Sequence, residues 1–326
     1  MNPAFSVIFL TTLIGVGQGL FLALFTAQTY ALFELLPKQD SVGFYAHGSL
    51  LALIFMAAGL IASFFHLGHP ERAWRSAAKW RTSWLSREVI VLPAFMGMLF
   101  LYGMAHLFDW KPALATLPSG LSIDVTVALG VLGTLLAFAL FVCTGMIYAC
   151  LRFLREWHSP LTVINYILLG GASGFTLATL FAAHAAPALT GFFGGWAVII
   201  TLCGLVGRVA SLVRNARLKP RSSLQTAIGV KHPRIVQKSQ GFMGGSFNTR
   251  EFFHGQTPTL LRSIKWLFLL GVFGLPVMLL AAGMATASAT LLLLAFAVQY
   301  AGLLAERWFF FAQANHPQNL YYQAIS

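Results

Sequence analysis

The chain has 326 residues, of which 58% are hydrophobic and only 9% charged, with a mean hydropathy of +0.75. That composition excludes a water-soluble globular domain: 29 Phe and 8 Trp would overfill the interior of a chain this size, whereas lipid can solvate them around a perimeter. Three cysteines (Cys143, Cys150, Cys203) with no C-x-x-C pair cannot supply an iron–sulfur cluster or a zinc cage within the chain.

Taken in chain order, uncharged stretches predict helical spans at roughly 5–33, 47–66, 88–107, 125–151, 161–184 and 187–209, each able to cross a hydrocarbon core that needs about 20 residues. The last uncharged run, 266–305, is too long for one span. As a single helix it would be roughly 60 Å, twice the bilayer core, so it divides into spans at 264–283 and 287–307 around Gly283-Met-Ala-Thr-Ala-Ser. The runs are continuous rather than alternating, which favours helices over a barrel. The expectation is an all-α integral membrane protein, a single membrane domain over 1–326 with eight transmembrane helices and no internal repeat. A long basic loop, 210–262, projects from it. Met1-Asn-Pro-Ala carries no basic n-region and the first span exceeds a signal-peptide core, so it is read as retained.

Eight spans put alternate loops on two sides, and 19 of the 21 Lys and Arg residues fall on the side of both termini, with only Lys38 and Lys111 opposite. The positive-inside rule therefore places both termini in the cytoplasm, and the expected location is a bacterial inner membrane. It also explains the net charge of +12 without nucleic acid.

The polar chemistry gathers in two loops on that side. The first reads His66-Leu-Gly-His-Pro-Glu-Arg-Ala-Trp-Arg, then Trp80-Arg-Thr-Ser-Trp-Leu-Ser-Arg-Glu. Such a set suits a quinone head group: His66 can bond a quinone oxygen, Glu88 can exchange its proton, and Trp74 and Trp84, with Arg87, can flank the ring. Each has a plainer alternative. Ser86 with Glu88 also suits a helix start, as N-cap and first-turn acid, and His66 suits an interfacial histidine satisfied by headgroup water. The second loop is rich in Gly and Pro and carries Phe242, Phe247, Phe252 and Phe253, an apolar load that favours a docking surface over a solvated linker.

His47, His106 and His184 sit at span ends on the opposite side, where bis-histidine haem ligation is one reading. Their boundary position argues against it. Glu306-Arg307 reads as a locally compensated pair, and Cys143 and Cys150 as small packing residues.

His66-Leu-Gly-His-Pro-Glu-Arg-Ala-Trp and Thr82-Ser-Trp-Leu-Ser-Arg-Glu resemble the signature of the membrane anchor subunits of dimethyl sulfoxide reductase and its relatives. The similarity extends through Met146-Ile-Tyr-Ala, Trp157 to Pro160 and Glu306-Arg307 over nearly the whole chain. The resemblance implies a haem-free anchor with quinone as its only cofactor, ubiquinone or menaquinone. It implies two partners, a molybdopterin catalytic subunit and a four-cluster iron–sulfur subunit, which hold the metal centres. It also maps quinol handling onto His66 and Glu88, with Gly68 and Arg72 beside them. The segment from Gln240 to Gly255, including Gly241, Phe242, Phe247, Arg250 and Phe252, is similar to a branch that includes anchors of cytoplasmic sulfite-oxidising enzymes, and is the expected docking segment.

The expected function is thus a membrane anchor passing electrons between the quinone pool and an iron–sulfur partner, either from sulfite to quinone or from quinol to a sulfoxide. The competing readings are a haem b anchor and a secondary transporter. The latter is disfavoured because the uncharged runs hold no midplane charge.

Overall fold

The computed structural model describes residues 1–116, 122–220, 222–239 and 251–321. Eight helices among them are long and apolar enough to span a membrane: α1 (Phe5–Leu32), α2 (Ser41–Phe64), α3 (Trp84–Leu107), α4 (Val125–Ala149), α5 (Pro160–Ala185), α6 (Pro187–Ala216), α7 (Pro258–Ala285) and α8 (Ala289–Ala312). The long predicted run does break at its small-residue segment, where Ala287 adopts a left-handed φ of 51° between α7 and α8. Two features were not predicted. α6 continues past residue 209 to Ala216 and α7 starts at Pro258, so the second loop is shorter at both ends. Between α3 and α4 lies a small antiparallel hairpin of β1 (Ala113–Thr116) and β2 (Ser122–Asp124), too short to register as an alternating pattern.

Local sequence sets the helix starts. Ser83, Asp124, Ser159, Thr257 and Ser288 each accept a first-turn backbone N–H of α3, α4, α5, α7 and α8 respectively, satisfying one of the donors every helix leaves open. Pro160 and Pro258 follow their caps at the first helical position, where a missing N–H costs nothing.

α1 and α5 form the centre. In their most apolar stretch 72% of residues are buried, against 28–39% in the other six spans, whose outer faces are left for lipid. The two central helices meet through Gly15-x-x-x-Gly19 and Gly170-x-x-x-Gly174. A Cβ on Gly19 would fall 2.3 Å from the Gly170 carbonyl, and one on Gly174 would fall 2.1 Å from Gly19. Small residues allow this backbone contact, on which packing within a membrane depends.

α7 is broken by a π-helical turn at Leu270–Gly274, followed by Pro276. Proline has no N–H for the carbonyl four residues earlier, that of Val272. The Gln299 amide of α8 donates to that carbonyl at 3.3 Å and to Thr201 at 3.2 Å, satisfying within the bundle a group that lipid could not.

The N-terminus and the segment after α8 lie on one face. The Met1 nitrogen donates to the Ala314 carbonyl at 2.7 Å, and Asn2 N–H donates to Glu251 O at 2.9 Å. These contacts join the N-terminus, the end of the long loop and the segment after α8.

Candidate functional site

The first loop begins where α2 ends and is built around a 3-10 helix, Pro70–Lys79, none of whose residues is buried. His66 lies exposed at its start. Partial desolvation lowers its pKa from the ordinary histidine value, so the neutral ring offers one donor and one acceptor at pH 7. Gly68 is open, with nothing within 4 Å of where a Cβ would stand. Arg72 has Glu71 as its ion-pair partner, at 3.6 Å with both side chains exposed, and Glu71 also meets His69. Trp74 is 71% exposed, with Arg75 beside its ring.

Arg87 closes the loop. Its guanidinium donates to the carbonyls of Trp80 and Arg81 at 2.9 and 2.8 Å and lies 4.2 Å from the Trp84 ring centre, fastening the loop's end to the first turn of α3.

Glu88 points the other way. The helix cap is Ser83 and no acid lies in the first turn of α3, so Glu88 does not serve as the helix-start acid that Ser86 and Glu88 suggested. Its side chain is buried, and Thr144 Oγ1 of α4 donates to Oε1 at 2.5 Å, the short distance expected for a hydroxyl on a carboxylate. Glu88 and Thr144 share an internal cavity with Gln18 of α1, Tyr166 and Ser173 of α5, and Arg307 of α8. Its water-accessible volume is about 20 Å³, room for one water but far below the roughly 300–1,000 Å³ of a small-molecule site. His66 and Glu88 thus flank one loop without touching: one faces the aqueous side, the other the bundle interior.

The donor set of the loop suits a quinone head group, with a neutral imidazole, guanidinium groups and accessible indoles. The cavity behind it suits water only.

A second cluster was not foreseen. Arg208 looked like the first charge of the long loop, yet it is buried within α6, with Nε 2.7 Å from Glu306 Oε1. Glu306 thus has two partners: the expected Arg307, whose Nη1 lies 3.7 Å from Oε2 and whose Cζ stacks 3.7 Å from the Tyr166 ring centre, and Arg208, which was not foreseen from the sequence. Tyr166 itself, buried beside Tyr148, makes no hydrogen bond of normal geometry. The available signal was that Arg208, Glu306 and Arg307 all interrupt apolar stretches at comparable distances from helix ends on the same face.

The three histidines on the opposite side do not form a group. His47 and His184 are exposed, whereas His106, in the last turn of α3, is buried by protein, with Nδ1 2.8 Å from Ser41 Oγ and its ring between Tyr45 and Tyr102. Cys143 is buried and Cys150 exposed.

Of the expected docking residues, Gly241, Phe242, Phe247 and Arg250 lie outside the described residues. Phe252 stacks on His316 with ring centres 3.7 Å apart, and its carbonyl accepts from Asn319. Phe253 beside it is buried. The end of the long loop is packed against the chain, not free.

Together these features define a multi-pass, predominantly helical membrane subunit with its polar chemistry concentrated toward one face. The chain belongs to the DMSO reductase anchor subunit (DmsC) family, whose model matches residues 1–313. It is also 59% identical, over 326 residues and the full length of both chains, to the C subunit of the sulfite dehydrogenase of Allochromatium vinosum.

Proposed function

We propose that this chain is the quinone-reactive anchor of a three-subunit molybdoenzyme in a bacterial inner membrane, with both termini cytoplasmic. Its partners are an iron–sulfur subunit and a molybdopterin catalytic subunit docked on the face that carries the termini. Full-length similarity to a sulfite dehydrogenase subunit supports the sulfite-to-quinone direction over the quinol-to-sulfoxide one. The observation that carries the quinone assignment is Glu88: a buried carboxylate held by Thr144 over a water-sized polar cavity, on the helix into which the His66–Arg72 loop leads. When bound, the quinone would supply two-electron chemistry in lipid. His66 would hold one of its oxygens, Arg72 would stabilise anionic charge, Trp74 and Trp84 would flank the ring, and Glu88 would exchange a proton. The loop buries none of its own 3-10 residues, which fits a site completed by the partner's surface.

The test is purification of the complex in mild detergent from cells making all its subunits, followed by quinone extraction, a visible spectrum and sulfite-dependent quinone reduction on the same sample. Co-purified quinone and sulfite-dependent reduction are expected. A haem absorption band, or turnover with dyes but never with quinones, would overturn the reading.

A further inference from the structure

Among the described residues, the buried side chains that carry formal charge are Glu88, Glu306, Arg208 and Arg307. There are two acids and two bases. Glu306 pairs with Arg208 at 2.7 Å and with Arg307 at 3.7 Å, and Arg307 and Glu88 line the same cavity. With all four ionised the interior carries no net formal charge, and a proton taken up by Glu88 changes that balance by one.

A second cavity, of about 10 Å³, lies on the far side of Arg307, near the threshold for one water. Its walls hold four buried polar atoms without hydrogen-bond partners: Asn165 Oδ1, Arg208 Nη2, Glu306 Oε2 and Arg307 Nε. Orphaned polar atoms lining a space of that size are places that ordered water satisfies. The cavity's rim reaches half-buried Glu156, Asn215 and Gln313, where Asn215 donates to the Glu156 carbonyl beside the loop joining α4 to α5. That loop is on the face carrying both termini.

We infer that these two cavities form a proton conduit from Glu88 to the face carrying the chain termini, with Arg307 as the wall they share. The inference rests on the reading of Glu88 as the proton-exchanging group of a quinone site. As quinone becomes quinol it gains two electrons from the iron–sulfur partner and two protons. One proton comes from Glu88 and the other through His66 from solvent at the loop. Glu88 then recovers its proton from water in the inner cavity, which is replenished through the outer one. Arg307 stays protonated throughout and relays no proton itself; it orders water on both sides. Quinol oxidation would run the same path in reverse. The conduit has a directional consequence: the Glu88 proton is exchanged with the compartment that holds the soluble partners, and does not cross the membrane.

Asn165→Leu and Ser211→Val test this, since both sit in the outer cavity, away from the loop and Glu88, and fill it with apolar atoms. The first readout needs no quinone. In the intact complex at a pH low enough to protonate Glu88, infrared spectroscopy follows deuterium exchange of its carboxyl, identified by the band missing in Glu88→Gln. Exchange should slow by roughly 10-fold or more in each variant that assembles. The second readout is turnover with a short-chain ubiquinone analogue, which should fall by about the same factor, within the range that assisted proton transfer contributes, while affinity for the analogue and dye-linked turnover stay unchanged. Unaltered exchange and turnover in both variants would overturn the conduit and leave the quinone site standing. If the unaltered complex neither binds nor reduces quinone, the quinone reading fails first and the conduit falls with it.

Discussion

Arg208 Nε of α6 and Glu306 Oε1 of α8 lie 2.7 Å apart, with each side chain at most 2% exposed. Removing Glu306 strands Arg208 in the bundle, and removing Arg208 leaves Glu306 only its longer contact with Arg307; loss of a partner from a buried pair costs about 3–5 kcal/mol. Arg208→Met or Glu306→Leu alone should therefore sharply lower the thermal midpoint of the solubilised complex. The double variant Arg208→Met/Glu306→Leu should recover part of the loss, because it leaves no charge of the pair behind although Arg307 loses its 3.7 Å contact with Glu306. A double variant as unstable as the sum of the two singles would show that the pair is not coupled.

Glu88→Gln keeps the size of the side chain and an acceptor for Thr144, but removes the titratable proton. Quinone-linked turnover per assembled complex should fall by about 100-fold, within the range for lost acid–base assistance, with dye-linked turnover and thermal stability little changed. A purely structural Glu88 would give the opposite pattern: less assembled complex, each turning over normally.

At the α1–α5 crossing, Gly174→Ala would drive a Cβ to 2.1 Å from the Gly19 backbone. Overpacking of this kind costs about 1–3 kcal/mol or more, and the yield of folded protein should drop accordingly. Gly97→Ala, where nothing lies within 4 Å of the new methyl, should be neutral or slightly stabilising through its better helix propensity. Equal sensitivity at the two positions, read by thermal denaturation monitored by gel filtration, would contradict the packing account.

Reporter fusions at the C-terminus and at residue 230 should both read cytoplasmic, since most basic residues lie on that side. Deletion of 240–255 should release the soluble partners while the spans remain inserted, a result read by membrane fractionation. It would also remove the Phe252 ring that stacks on His316. Partners that stay bound after the deletion would reduce the segment to a linker.

The spans were legible because lipid exposure writes itself into uninterrupted apolar runs, and Glu88 was legible as a carboxylate near the start of the third span. Its direction was not. Which way a residue faces near a helix start depends on the cap, and Ser83 rather than Ser86 holds that position. The Arg208–Glu306 pair was hidden for another reason: Arg208 directly follows an uncharged run, so in sequence it looks like the loop's first charge, and its partner belongs to a helix that follows much later. His106 was placed at the end of its span, but its burial was hidden, because the Ser41 hydroxyl and the two tyrosine rings that enclose it come from the start of α2 and from one turn earlier on α3.

The centre of the molecule is made first. α1 leaves the ribosome more than a hundred residues before α5, and at ~5–20 residues per second it waits several seconds or longer for the helix that will enclose its glycine face. During that interval the face is covered only by lipid or by the insertion machinery, and the Gln18 amide lacks the Ala137 carbonyl of α4 that it later binds at 2.8 Å. Biogenesis is therefore most exposed to error between the first and fifth spans, and a truncated product ending before α5 should be a target for membrane proteases rather than a stable half-molecule.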